Sequence, residues 1–222
     1  MIAWPKNIHD ELSGIDRMSI RNRVMPVPID GRLRLTPGER RDQLYRLAVE
    51  IIAQEGVVPG AHARIAKDAG VSVATVFKYF RKAADLEDAV IHYVGEVMYY
   101  IYNDALVTEN ATTWHENLCI VLADSYRSHW SLFRAWATAG STPQKSCYTS
   151  FVKVEENIIA LVRSKIEFGR RKGTLPKMAM KTRTQAEWLV SGLRRLGELE
   201  EGAVNKQMIR QYVELVLGLG RS

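Results

Sequence analysis

One short segment constrains the fold more than any other part of the sequence. Residues 65–79 read IAKDAGVSVATVFKY, in which one helix-favouring run ends at Gly70 and another begins shortly after it. The second run consists of small, β-branched and hydroxyl side chains, whereas a helix selected for stability alone would favour Leu, Glu, Lys and Arg. A requirement other than helix stability has therefore selected these residues.

The steric demands of this segment predict a helix-turn-helix. A small side chain at Ala66 lets the two helices approach closely, and Gly70 adopts the left-handed conformation beyond a helix end at almost no cost. Val76 is expected to point into the angle between the helices, Ile65 to supply a further buried contact, and Ser72 to cap the second helix. We therefore expect two helices that meet steeply around a tight turn containing Gly.

The exposed face of the second helix is slim enough to enter the major groove of DNA, which is about 12 Å wide. Its Val and Ala side chains can contact thymine methyl groups, and its Thr and Lys side chains can hydrogen-bond to base edges or phosphates. The amides at the helix start and a Tyr hydroxyl can meet the DNA backbone. The candidate DNA-binding residues of this segment are Ser72, Val73, Ala74, Thr75, Lys78 and Tyr79. The alternative is a helical hairpin that does not bind DNA.

Composition favours a polyanionic partner and a reducing compartment. The 222-residue chain has a formal net charge of +6, which favours nucleic acid or an anionic membrane surface as a partner. Cys119 and Cys147 lack metal-ligand spacing and fit a reducing cytoplasm better than a disulfide scaffold. The sequence has no apolar run near the roughly 20 residues of a membrane span, and no signal peptide is recognisable. We expect a soluble cytoplasmic protein.

The first part of the chain differs from the rest. Residues 1–35 have no sustained hydrophobic period and contain several Pro and Arg residues, so we expect a flexible basic N-terminal arm. Met1, Met18 and Met25 are all candidate start sites, so part of this arm need not belong to the native protein.

Beyond the arm, helical periodicity predicts an all-α fold. Thr36, Pro37 and Glu39 have the spacing of a capping box with Pro at the first helical position. The sequence contains no convincing strand alternation and no internal repeat. The expected helices cover about 37–56, 61–69, 73–80, 85–102, 113–129, 131–139, 144–172, 182–200 and 204–219.

Residues 40–90 resemble the DNA-binding domain of the TetR family of transcriptional regulators. The resemblance rests on EIIAQEGV and ARIAKDAGVSVATVFKYFRKAADLEDAV. The string VSVATVFKYF, with Gly60 and His62 ahead of it, is most similar to the LuxR/HapR group of quorum-sensing regulators of vibrios. His62 replaces a usually apolar residue and is expected to pack under the second helix. The resemblance implies a DNA-binding domain at 36–84 and a helical effector-binding and dimerisation domain at 85–222.

The resemblance also implies further contacts with DNA. The family usually has Lys or Arg where this chain has Ala83, so Lys82 or Arg81 is the candidate replacement for a phosphate contact. In the LuxR/HapR group a basic segment before the first helix follows the minor groove. Arg32 and Arg34 are the matching residues, and a narrow A·T-rich groove attracts Arg. The alternative is a solvated tail that does not contact DNA.

An aromatic cluster in the middle of the chain is a candidate effector pocket. The resemblance implies a cavity for a small effector, and an aromatic lining favours an apolar or amphipathic ligand. The candidate lining is Trp114, Tyr126, Trp130, Phe133, Trp136 and Phe151. The alternative is that these rings form an ordinary core. His115 and His129 lack the spacing of a helical metal site, so we expect no metal and no other cofactor.

Apolar stripes in the last two expected helices are candidate dimer contacts. The resemblance implies that these helices pair with the same helices of a second subunit. The candidate interface is Trp188, Leu189, Leu193, Leu196, Tyr212, Val213 and Val216. The alternative is that both stripes face the protein's own core. A dimer suits the chemistry, because two half-sites about 34–36 Å apart specify a sequence better than one short helix does.

Two functions of different classes follow from these observations. The leading hypothesis is a homodimeric TetR-type transcription regulator, repressor or activator, that binds a pseudo-palindromic operator, with its affinity modulated by a small apolar effector. The resemblance extends this hypothesis to quorum sensing. The alternative is a helical small-molecule-binding protein whose helix-turn-helix is vestigial, which Ala83 favours. An enzyme is not expected, because no catalytic triad, phosphate-binding glycine loop or paired catalytic carboxylates are recognisable.

Overall fold

The computed structural model describes residues 35–55, 60–107, 113–141 and 148–219, and within them it contains helices and no strands. The all-α prediction is therefore confirmed. The helices are α1 (Pro37–Glu55), α2 (Ala61–Asp68), α3 (Val73–Tyr79), α4 (Ala83–Leu106), α5 (Trp114–Ser128), α6 (Trp130–Gly140), α7 (Tyr148–Arg171), α8 (Thr182–Arg195) and α9 (Lys206–Leu217). The predicted arm, including Arg32 and Arg34, lies outside the described residues except for its last position.

Helix α1 begins at the predicted capping box. The Thr36 amide donates to Oε2 of Glu39 at 2.8 Å, and the Glu39 amide donates to Oγ1 of Thr36 at 3.3 Å. The hydrogen bond from the Thr36 backbone is the main cause of the lowered pKa of Glu39. Pro37 occupies the first helical position, where its missing N–H costs no hydrogen bond. These contacts fix where α1 starts.

Helices α1, α2 and α3 share a core that continues into α4. Ile65 and Val76 are fully buried, and Phe80, which follows α3, is almost so. The Tyr45 ring of α1 lies edge-on to Phe80, with 5.3 Å between ring centroids. Tyr45 also stacks on Tyr93 of α4, with 5.2 Å between ring centroids. This aromatic series joins the helix-turn-helix to the long helix α4.

The end of α8 differs from the prediction of one helix over 182–200. Helix α8 ends at Arg195, and Leu196–Glu198 form a tighter 3-10 turn. Gly197 of this turn is buried so closely against α6 that a Cβ there would overlap the carbonyl oxygen of Phe133. Nη1 of Arg134 donates to the Glu198 carbonyl at 2.6 Å. The α-helix stops early because this turn is held against α6.

Candidate nucleic-acid interface

The turn between α2 and α3 has the geometry that its sequence predicts. Gly70 adopts a φ of +64°, in the left-handed region. The Val71 amide donates to the Ala66 carbonyl at 2.9 Å, and the Gly70 amide donates to the Lys67 carbonyl at 3.2 Å. This pair of bonds is a Schellman motif, which satisfies carbonyls that the helix end would otherwise leave unpaired. Ala66 is buried, as expected for the position of close helix approach.

Ser72 caps α3, also as predicted. Its Oγ accepts a hydrogen bond from the Thr75 amide at 3.2 Å. The hydroxyls of Ser72 and Thr75 are also hydrogen-bonded to each other, with 2.9 Å between oxygens. Thr75 is half-buried, and its hydroxyl is already hydrogen-bonded within the cap rather than fully available on the exposed face. A base contact from Thr75 would require this hydroxyl to share its hydrogen bond with Ser72.

The exposed face of α3 is slim near its start and carries an aromatic ring further on. Ala74 and Lys78 are exposed, and the large apolar side chains Val73 and Phe77 keep 40% and 44% of their surface exposed. Val73 and Phe77 are one helical turn apart and therefore lie on the same side of α3. Val73 is among the predicted DNA-binding residues and Phe77 is not, because a Phe in a short helix is usually part of the core.

His62 of α2 is the neighbour that accounts for the position of Phe77. The two rings stack with 4.5 Å between centroids and 13° between planes. Nε2 of His62 also lies 2.8 Å from the carbonyl oxygen of Phe80, to which it donates. The His62 side chain is half-buried and reaches across from α2 to α3, a contact that the sequence does not predict.

Exposed cations continue from α3 into the start of α4. Lys78 is in the last turn of α3, and Arg81 and Lys82 occupy the connection to α4. Lys82 is the residue immediately before α4, and Ala83 is the first residue of that helix. The Tyr79 hydroxyl donates to the Pro37 carbonyl of α1 at 3.4 Å. Phosphate contacts from Lys82 and Tyr79 stay predictions.

The six aromatic residues proposed as an effector pocket lie mainly in the core. Tyr126 stacks on Phe133 with 3.7 Å between centroids, and its hydroxyl donates to the Leu193 carbonyl. Trp136 lies 4.5 Å from Phe151 between ring centroids. The buried members are Trp114, Tyr126, Phe133, Trp136 and Phe151, whereas Trp130 is half-buried. Their role as a ligand-binding lining stays a prediction.

A groove of about 480 Å³ lies elsewhere, between the end of α6, α8 and α9. It contains none of the six predicted aromatic residues. Its lining is Gly140, Ser141, Trp188, Ser191, Gly192, Arg194, Arg195 and Tyr212. The Tyr212 hydroxyl donates to the Trp188 carbonyl, which joins α9 to α8 along the groove. The groove therefore lies in the helices for which the sequence predicted dimer contacts.

The predicted dimer residues fall into two groups. Leu189, Leu193 and Val213 have no exposed surface within the single chain, which contradicts their prediction as contacts with a second subunit. Val216 is also buried, whereas Leu196 and Tyr212 are half-buried. Trp188 is 56% exposed, and Leu215, which the prediction missed, is 73% exposed. The apolar stripes mainly cover the protein's own core, and these two side chains project from it.

Other classes of site are poorly represented in the described ranges. The residues described there contain no cluster of three or more His, Cys, Asp and Glu side chains that could hold a metal ion. Burial raises the pKa of the Cys119 thiol to about 11, so this thiol stays protonated at neutral pH. The helices of the described ranges include none that is both long and apolar enough to cross a bilayer.

Comparison with known sequences gives a partial match. No family model matches the chain. A stretch of 63 residues is 49% identical to the HTH-type transcriptional regulator LuxR of Vibrio harveyi. The match covers 28% of this chain and 31% of the length of that relative. The chain is therefore similar to that protein over a limited region.

Comparison with solved structures extends over most of the chain. A TetR-like transcriptional regulator from Rhodococcus sp. RHA1 has a TM-score of 0.68 at 16% identity, covering 84% of this chain and 98% of that one. The TetR-family transcriptional regulator PfmR from Thermus thermophilus has a TM-score of 0.67 at 14% identity, with 86% and 100% covered. The fatty acid degradation regulator FadR from Bacillus halodurans has a TM-score of 0.67 at 18% identity, with 84% and 97% covered. The chain therefore has the fold of TetR-family transcriptional regulators, which confirms the resemblance inferred from its sequence.

Proposed function

We propose that the protein is a homodimeric transcription regulator that binds a pseudo-palindromic DNA operator through α2 and α3. The observation that carries this proposal is the lean, exposed face of α3 beside the turn at Gly70. A helix with small side chains at its start can approach base edges, and the cations at its end can contact phosphates. In this proposal residues 36–84 read DNA and residues 85–222 form the effector-binding and dimerisation domain.

Dimerisation would use the exposed apolar side chains of α8 and α9. Trp188 and Leu215 expose more than half of their surfaces, and an exposed Trp is a common anchor of protein interfaces. A second subunit would cover them and place its own α3 at a fixed distance. Two reading helices about 34–36 Å apart, or a multiple of that distance, would then address half-sites on one face of the duplex.

A small apolar or amphipathic effector would act by changing that distance. Helix α6 packs against α1, and the Ser131 hydroxyl donates to Oε2 of Glu50 at 2.6 Å across this contact. An effector that favours one position of α6 would therefore favour one position of the DNA-binding domain, residues 36–84. This is a population shift between two dimer shapes with different affinity for the operator. We extend the proposal to quorum sensing as the pathway that supplies the signal, on the ground of the sequence resemblance to the LuxR/HapR group.

Lys78→Ala tests whether the exposed face of α3 contacts DNA. The variant should fold normally, because Lys78 is exposed, and should bind a selected operator about 1–3 kcal/mol more weakly if Lys78 contacts a base. If Lys78 contacts a phosphate, binding should weaken for all sequences and the slope of log K against log[salt] should fall by about 1. Fluorescence anisotropy over a range of salt concentrations measures both quantities.

The matched control for this prediction is Lys177→Ala. Lys177 is exposed in the connection between α7 and α8, far along the chain from α3. Its replacement by Ala changes the net charge by the same amount as Lys78→Ala. We expect it to leave operator affinity unchanged. Equal weakening by both variants would assign the effect to net charge and would contradict a contact from Lys78.

The second candidate function is a helical small-molecule-binding protein that does not bind DNA. Ala83 favours it, since the first exposed position of α4 has no side-chain cation where TetR-family regulators usually have one. Titration with mixed-sequence DNA at low salt separates the two functions, because electrostatic binding is strongest there. Absence of binding under these conditions would favour this second function.

A further inference from the structure

We propose that His62 is a positioning residue for DNA recognition, holding the exposed ring of Phe77 so that this ring contacts the methyl group of a thymine. This inference rests on the proposed function and specifies one contact between α3 and a DNA base. Phe77 would touch the DNA, whereas His62 would act through Phe77.

His62 is attached to α3 at two points. Its ring stacks on Phe77 with 4.5 Å between centroids, and Nε2 donates to the Phe80 carbonyl at 2.8 Å. Phe80 immediately follows α3 and its amide donates to the Val76 carbonyl at 2.9 Å, so this anchor is itself fixed to the helix. The hydrogen bond fixes the imidazole relative to the end of α3, and the stacked imidazole then restricts the rotation of the Phe77 ring.

Among the residues that the structure describes, packing against His62 still leaves 44% of the Phe77 surface exposed. Among the large hydrophobic side chains described before α4, Val73 and Phe77 are the pair with at least 40% of their surface exposed. Both lie on one side of α3, while Val76 of the same helix is fully buried. Leaving an apolar ring in water forgoes the roughly 25 cal/mol per Å² that burial would provide. An aromatic ring both exposed and held in place is typical of a binding contact.

The chemistry of the ring selects the base feature that it can read. A phenyl ring cannot form the conventional N–H or O–H hydrogen bonds that distinguish most base edges. The C5-methyl group of thymine is the apolar feature of the major groove, and apolar side chains such as Phe recognise it. A ring that is already fixed loses little freedom on binding, so more of the contact energy contributes to affinity. We therefore expect a thymine opposite Phe77 in each half-site.

Replacing single thymines of a selected operator by deoxyuridine removes the methyl group and leaves the hydrogen-bonding edge intact. For one thymine position in each half-site, a single replacement should lower the wild-type affinity about fourfold. This corresponds to the free energy of burying one methyl-sized apolar group. Phe77→Ala should bind the thymine and uracil operators equally. His62→Ala should reduce the penalty for uracil, and His62→Phe should restore it, because a ring stacked on Phe77 is again present.

The coupling between the two residues gives a second readout. The double variant His62→Ala/Phe77→Ala should bind no more weakly than Phe77→Ala alone, because His62 acts through Phe77. Val107→Ala, which truncates a side chain 45% exposed after α4, should leave the uracil penalty unchanged. Thermal unfolding of each variant verifies that folding is retained, and the uracil comparison with unaltered protein does not depend on any variant.

The possible results separate this inference from the proposed function. A wild-type protein without any sequence-specific complex contradicts the proposed function itself. Specific binding without a uracil penalty at any thymine contradicts the methyl contact. An unchanged penalty in Phe77→Ala, or additive losses in the double variant, overturns the roles assigned to Phe77 and His62.

Discussion

Gly70→Val is expected to destabilise the protein by about 2 kcal/mol or more and to abolish operator binding. Gly70 has a φ of +64°, and left-handed backbone costs an L-residue about 1–2 kcal/mol, with β-branched side chains faring worst. A Cβ at this position would meet no atom within 4 Å, so the cost is conformational rather than steric. The loss of stability should lower the midpoint of urea unfolding and leave the dependence of the unfolding free energy on urea concentration unchanged.

Two other substitutions serve as controls for this prediction. Gly70→Asn should lose much less stability, because Asn tolerates the left-handed region. Gly38 in the first turn of α1 also has open space around a Cβ but lacks a positive φ, so Gly38→Ala should be neutral or stabilising. Wild-type stability in Gly70→Val would show that the turn does not require the left-handed conformation.

Arg194→Met is expected to cost about 3 kcal/mol of unfolding free energy at pH 7, because it leaves a mostly buried carboxylate without its partner. Nε of Arg194 donates to Oε1 of Glu155 at 2.9 Å, with the two side chains only 11% and 15% exposed. The guanidinium also lies over the Phe151 ring, 5.4 Å from its centroid. Chemical denaturation of the wild type and the variant measures the difference.

The loss caused by Arg194→Met should depend on pH. Burial raises the pKa of Glu155 above its usual value, while Arg194 opposes this rise, so removing Arg194 raises the folded-state pKa further. A carboxyl whose pKa is higher in the folded than in the unfolded state destabilises the fold increasingly as pH rises above the unfolded value. The deficit should therefore be smallest at low pH, where Glu155 is protonated in both states.

A compensating variant completes this test. Arg194→Met/Glu155→Leu removes both charges, and apolar replacement of a buried ion pair is often neutral. We expect the double variant to regain most of the lost stability and to lose the added pH dependence. A double variant as unstable as Arg194→Met would mean that packing of Arg194 on Phe151, rather than the unpaired carboxylate, causes the loss.

Local steric requirements, recognisable in the sequence, predicted much of the DNA-binding domain. The positive φ at Gly70, the cap at Ser72 and the capping box at Thr36 each depend on residues only a few positions apart in sequence. Such short-range requirements can be recognised in one sequence. The contact of His62 with Phe77 could not be, since it depends on the angle at which α2 crosses α3.

Long-range packing limited the prediction in the later helices. The end of α8 depends on how closely Gly197 meets the Phe133 carbonyl of α6, which helical periodicity does not report. Periodicity also cannot distinguish a stripe that covers the protein's own core from one that faces a partner. Periodicity therefore predicts interface contacts for Leu189 and Leu193, although both are fully buried in the chain.

Selection of bound DNA from a random-sequence pool with the purified protein, read by sequencing, tests whether a dimer binds a specific operator. We expect a two-fold symmetric motif whose half-site centres are about 10–10.5 base pairs apart, or a multiple of that spacing. Such a motif would support the reading helix, the dimer and their spacing in one experiment. An A·T-rich preference without symmetry would indicate binding by the basic arm alone, and no enrichment at all would contradict a sequence-specific regulator.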